Sequence, residues 1–129
     1  MGENLKNRHQ ELTKAELEIM QVIWKKEKVL IHDILAELPE PKPAYNTVST
    51  IVRILENKGF VSHKAYGRTY EYFAVVTKQD YTGTYMRTVL DNFFEGSVSS
   101  MVNFFSSQKS ISLEETDEIL KILRGETEA

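Results

Sequence analysis

Two apolar rhythms run along this chain, and the change from one to the other divides it into elements. Leu17, Met20, Ile23 and Trp24 share one helical face. Ahead of them Thr13 and Glu16 have the spacing of a capping box, and Leu12 and Leu17 stand where a hydrophobic staple would close. These signals predict a helix over about 13–26. Ile31, Ile34, Leu35 and Leu38 fall at i, i+3, i+4 and i+7 and predict a short second helix stopped at Pro39. Pro39-Glu40-Pro41-Lys42-Pro43 is a stiff turn, because each proline pushes its predecessor out of the α region. Val48, Ile51, Val52 and Leu55 repeat the helical spacing and predict a third helix from about Tyr45 to Asn57, with Gly59 as its stop. Ala44 brings no side-chain cap to its start.

The rhythm then changes. Phe60–Ala65 and Thr69–Val75 are rich in β-branched and aromatic residues, with Gly67 between them, and predict a β-hairpin. Its aromatic residues, Tyr66, Tyr70, Tyr72 and Phe73, are expected to pack on the third helix and on each other. After Val76 the helical spacing returns. Tyr81, Tyr85, Val89 and Phe93 recur every fourth position, joined by Met86, Leu90 and Phe94, and Gly96 ends the stripe. Val98, Met101, Val102 and Phe105 form another helical set. Ser112 and Glu115 make a second capping box, opening a last helix that carries Ile119, Ile122 and Leu123.

The predicted order is three helices, a hairpin and three more helices. This is a mainly α fold: a winged helix-turn-helix domain over 1–76, followed by a helical region over 77–129. A short helical appendage cannot bury so many apolar residues alone. Burial contributes roughly 25 cal/mol per Å², and a second copy of the chain is the simplest partner. Tyr85, Val89, Phe93, Val98, Met101, Val102, Phe105, Ile119 and Leu123 are the expected dimerisation residues.

With Val48, Ile51, Val52 and Leu55 turned inward, the outer face of the third helix carries Asn46, Thr47, Ser49, Thr50 and Arg53. Solvated helix faces usually favour Glu and Lys, whereas this one uses small or forked polar residues. Such side chains suit a helix in a major groove of double-stranded DNA: Asn pairs with the adenine edge, Arg with guanine or a phosphate, and a Thr methyl with thymine. Tyr45 begins the helix, where outward N–H groups favour phosphate. Lys64 and Arg68 flank the hairpin tip, placed to hold phosphates beside the recognition helix.

Charge sharpens this reading. The net −3 of the 129 residues excludes a uniformly basic DNA-coating protein. Residues 1–76 carry 11 basic and 10 acidic side chains, and residues 77–129 carry 5 and 9. Within 42–70, Lys42, Arg53, Lys58, Lys64 and Arg68 oppose only Glu56. The positive charge is therefore expected on the third helix and the wing, and the negative excess on the helical region.

Other chemistry is sparse. The absence of cysteine removes disulfides, Cys-ligated metals and thiol nucleophiles. His9, His32 and His63 lack metal-ligand spacing, and His32 and Asp33 are adjacent, hence on different helix faces. The sequence has no nucleophile elbow, P-loop or HExxH. No enzyme activity, cofactor or small-molecule ligand is expected. Without an apolar run of membrane length or a signal-peptide core, the cytoplasm is the expected compartment.

Several segments together resemble the penicillinase (β-lactamase) repressors of the BlaI and MecI type. They are Leu12-Thr13-Lys14-Ala15-Glu16-Leu17-Glu18-Ile19-Met20 with Ile23-Trp24, Asn46-Thr47-Val48-Ser49-Thr50, and Glu56-Asn57-Lys58-Gly59-Phe60-Val61. Gly67-Arg68-Thr69-Tyr70-Glu71-Tyr72 and Ser100-Met101-Val102-Asn103-Phe104-Phe105 complete the set. The resemblance implies a homodimeric repressor whose winged helix reads an inverted-repeat operator with TACA/TGTA-like half-sites. It also implies relief through a β-lactam-activated sensor protease, by cleavage at an Asn–Phe bond that Asn103-Phe104 matches. Two places depart from the family pattern. Ile54 stands where an Arg is usual, with Arg53 beside it, and Pro43-Ala44-Tyr45 stands where Trp-Ser-Pro is usual. Copper-responsive relatives use a cysteine motif that this chain lacks. The competing expectation, from another class, is a winged-helix protein-interaction scaffold that never touches DNA.

Overall fold

The Thr13 hydroxyl accepts the Glu16 N–H at 3.1 Å, and the Glu16 carboxylate accepts the Thr13 N–H at 2.9 Å. This closed capping box starts α1 (Lys14–Lys26). The computed structural model describes residues 11–109 and 111–125, so His9 lies outside the described residues. A two-residue strand, β1 (Lys28–Val29), follows α1. The Asp33 carboxylate then accepts the Leu30 N–H at 2.9 Å and starts α2 (Ile31–Glu37). At the other end of α2 the Lys42 ammonium donates to the carbonyls of Leu35, Ala36 and Leu38 at 2.8, 3.3 and 2.7 Å. The proline-rich turn thus folds back to satisfy the end of the helix before it.

Helix α3 (Tyr45–Asn57) has the predicted bounds. Gly59 takes φ 86°, which a side chain would disfavour. Around it the Gly59 N–H donates to Glu56 O at 3.0 Å and the Phe60 N–H to Leu55 O at 2.9 Å, a complete Schellman motif. That turn seats Phe60 in the core with no exposed surface and opens β2 (Val61–Tyr66). Strand β3 (Thr69–Ala74) returns antiparallel, in a register running from Val61↔Ala74 to Tyr66↔Thr69. The hairpin is the larger part of a three-stranded sheet in the order β1-β3-β2, with Lys28 opposite Phe73 and Val29 opposite Tyr72. Helices α4 (Lys78–Phe94), α5 (Val98–Ser107) and α6 (Leu113–Leu123) complete the described chain. The second capping box also forms, at Ser112 and Glu115. Among the described residues no helix is long and apolar enough to cross a membrane.

The chain divides into two compact units between Tyr85 and Met86. In the first, Met20, Ile23, Ile34, Val48, Val52, Leu55 and Phe60 form a core with no exposed side chain. The start of α4 belongs to this unit. Tyr81 is buried, with its ring centroid 5.9 Å from Phe60 and 6.0 Å from Trp24. Its hydroxyl accepts the Leu12 N–H at 2.9 Å, and the Trp24 indole donates to Val76 O at 2.9 Å. The second unit has little core of its own: beyond Met86, Leu90 is the only buried apolar residue among those described.

An ion pair on a buried carboxylate ties α1 to the end of α3. Glu16 is 5% exposed, and the Lys58 ammonium donates to its two carboxylate oxygens at 3.0 and 2.8 Å. Burial alone would raise the Glu16 pKa. The Lys58 bond and charge, with the Thr13 bonds, outweigh it and hold the carboxyl below its ordinary value. A depressed carboxylate stabilises the fold fully above its unfolded pKa, and that stability is lost as pH falls through the folded one. Lys58→Met is therefore expected to cost about 2 kcal/mol at neutral pH, by leaving a buried carboxylate without its charged donor. Glu16→Gln is expected to flatten the acid side of the stability curve. Urea unfolding across the acid range checks both.

Candidate nucleic-acid interface

Helix α3 buries Val48, Val52 and Leu55, and its remaining circumference faces outward. At about 100° per residue, Asn46, Thr50, Arg53 and Asn57 form the outermost strip, all exposed. Thr47 and Ser49 lie on opposite flanks of that strip. Thr47 lines a recess of about 360 Å³ with Ile19, Pro39, Pro41, Pro43 and Ile51. Half-buried Ser49 lines a larger groove of about 580 Å³, between α3 and the hairpin. Tyr45, Arg53 and Arg68 share this larger groove. Lys64 projects from β2, its ammonium 5.6 Å from the centroid of the Tyr66 ring.

The same groove holds residues that sequence spacing did not bring together. The His32 ring lies 4.9 Å from that of Tyr45, and the His63 ring stacks on Tyr70 at 4.2 Å. His63 Nδ1 is 2.7 Å from Glu56 Oε2. Beneath them, burial first and the Glu56 charge second push the Tyr72 phenol above its ordinary pKa. Of the hairpin aromatics expected to pack, Tyr72 is buried, whereas Tyr66, Tyr70 and Phe73 are exposed, Tyr70 with its ring stacked on His63. No pattern in the sequence flags the groove, because α2, the last turn of α3 and the strand register each supply part of it.

The fold also sorts the basic residues. Lys42 is committed to the end of α2 and Lys58 to Glu16. Among the described residues, Arg53, Lys64 and Arg68 have no carboxylate within salt-bridge reach. The cations of the 42–70 segment that remain for an outside partner are thus three, on α3 and the wing.

The residues expected to dimerise are mostly in the second unit. Tyr85 closes the first unit, stacked on Tyr81 at 5.9 Å. Val89, Met101, Val102 and Ile119 are half-buried, whereas Val98 and Phe105 are exposed. Phe93 and Leu123 are 75% and 74% exposed. Asn103 and Phe104 lie within α5. Asn103 lines a cleft between α5 and α6 with Val102, Ile119 and Leu120, and the Phe104 ring meets Phe94 edge-on at 5.8 Å.

The sequence model of the penicillinase repressor family matches residues 12–125. The chain is 31% identical over 114 residues to a penicillinase repressor of Bacillus licheniformis, covering 88% of this chain and 89% of that protein. It is 26% identical over 118 residues to the methicillin resistance regulatory protein MecI of Staphylococcus aureus strain N315, covering 91% and 96%. Among solved structures, the DNA binding domain of the repressor BlaI matches with 30% identity and a TM-score of 0.48, covering 54% of this chain and 87% of that one. The family match runs from the residue before the first capping box to the end of the described chain, and on it the chain belongs to the penicillinase repressor family.

Proposed function

We propose that the protein is a transcriptional repressor that binds an inverted-repeat operator in double-stranded DNA as a homodimer. One observation carries the reading. The outer strip of a helix that buries Val48, Val52 and Leu55 presents Asn46, Thr50 and Arg53, with Lys64 and Arg68 on the wing, and none of these three cations has a described carboxylate within salt-bridge reach. Asn46, Thr47, Ser49 and Thr50 face base edges, the first and last most directly. Arg53, Lys64 and Arg68 hold phosphates. Tyr45 and the first N–H groups of α3, which no Ala44 side chain caps, add a neutral phosphate contact. The names of the relatives, a penicillinase repressor and a methicillin resistance regulatory protein, support an antibiotic-resistance gene as the target. In this reading the protein is a cytoplasmic regulator rather than an enzyme.

The dimerisation region lies within residues 77–129 and acts through Val89, Phe93, Val98, Met101, Val102, Phe105, Ile119 and Leu123, with Tyr85 at the end of the first unit. Cleavage at Asn103–Phe104 by a sensor protease would sever α6 from this region. The two half-sites would then be bound independently, without the effective concentration that a linked pair supplies.

Gel-shift titrations with Asn46→Ala, Thr47→Ala and Thr50→Ala test base reading. Removing each base-reading side chain is expected to reduce discrimination between operator and scrambled duplex about tenfold, from the low end of the ~1–3 kcal/mol such pairings contribute. Unchanged discrimination in all three contradicts the assignment.

A further inference from the structure

Glu56 is out of place in the groove between α3 and the wing. The groove is lined by Arg53 and Arg68 and, in the operator-binding reading on which this inference rests, faces phosphate. A carboxylate there repels the ligand. Its partner explains its presence: Glu56 accepts the Nδ1–H of His63 at 2.7 Å.

That bond sits where the wing loses its other support. Strand β1 reaches only Phe73 and Tyr72 on β3, and His63 is the residue of β2 that pairs with Tyr72. Val61 and Tyr72 are buried, but Lys64 through Tyr70 are all exposed. From this level outward the hairpin is a two-stranded ribbon, and such ribbons are marginal in water. The contacts from Glu56 to His63, and from the His63 ring to Tyr70 at 4.2 Å, run from the last turn of α3 into that ribbon. The bond to the carboxylate forms with the neutral Nδ1–H tautomer and with the imidazolium alike.

We propose that Glu56 and His63 are positioning residues, which fix the angle of the wing against α3 so that Lys64 and Arg68 reach the phosphates flanking the bases read by α3. Neither residue is assigned a base contact.

Fluorescence-anisotropy titrations of the full chain, on operator and scrambled duplexes over a range of salt, test this. His63→Ala and Glu56→Ala are expected to weaken binding to both duplexes by a similar factor. The slope of log affinity against log salt should fall by about 0.9 for each phosphate that the wing no longer reaches. Glu56→Gln keeps an oxygen acceptor for Nδ1–H and should restore the wild-type slope. In a Lys64→Gln/Arg68→Gln background, His63→Ala should have no further effect, whereas a variant that had merely misfolded would still bind more weakly. A wild-type slope in both alanine variants overturns the proposal, as does an undiminished effect of His63→Ala in the charge-neutral background. If the wild-type protein binds neither duplex at low salt, the operator reading itself falls and this inference falls with it.

Discussion

A carboxylate at Phe93 or Leu123 is expected to weaken binding to a full inverted-repeat duplex by about 10²–10⁴-fold, while leaving affinity for a single half-site unchanged. Both side chains are about three-quarters exposed in the single chain, so replacing them disturbs little within it. Beyond Met86 the described chain buries only Leu90 among its apolar residues, yet it exposes Phe93, Val98, Phe104, Phe105, Leu113, Leu120, Ile122 and Leu123. So much open apolar surface marks an interaction face. In a two-fold dimer each substitution acts twice, and an unpaired carboxylate in a dry interface is penalised well beyond the missing apolar burial. Light scattering should report Phe93→Asp and Leu123→Asp as monomers. Variants that stay dimeric, with full operator affinity, would move the dimer interface elsewhere on the molecule.

The second large effect is of salt. If Arg53, Lys64 and Arg68 each hold one phosphate, the proposed dimer makes about six phosphate contacts. At about 0.9 per contact the slope of log affinity on log salt is about −5, and affinity falls about 10³-fold between 50 and 200 mM salt. The structure makes the prediction selective. Arg53→Gln, Lys64→Gln and Arg68→Gln should each lower the slope. Lys42→Gln and Lys58→Gln should not, because those ammonium groups are engaged by the α2 carbonyls and by Glu16. A slope that responds equally to all five would mean that the DNA sees net charge alone.

These two lysines mark where the sequence stops being legible. Counting charge over 42–70 sets five basic residues against Glu56, but a count cannot say which ammonium turns inward. The local signals carry further. Both capping boxes close as their spacing requires, and α3 begins and ends at its predicted residues because its apolar period and Gly59 define it. Strand β1 gives no signal, since two residues cannot display an alternation and its pairing depends on the distant β3. The groove is invisible for the same reason. His32, Glu56, His63 and Tyr70 come from four elements, and none has a sequence spacing that identifies its neighbours. The outer face of α3 is legible as a set of residues. The helical period also puts Thr47 and Ser49 on opposite flanks, but what each flank faces, a proline-lined recess beside α1 for Thr47 and the wing groove for Ser49, emerges only from the packing.

Selection of duplexes from a random pool by the full-length protein is the sharpest test of operator binding. Enrichment of an inverted repeat is expected, with two half-sites at a fixed spacing, and the combined Asn46→Ala and Thr50→Ala variant should abolish it. A pool that stays random after repeated selection at low salt would contradict operator recognition.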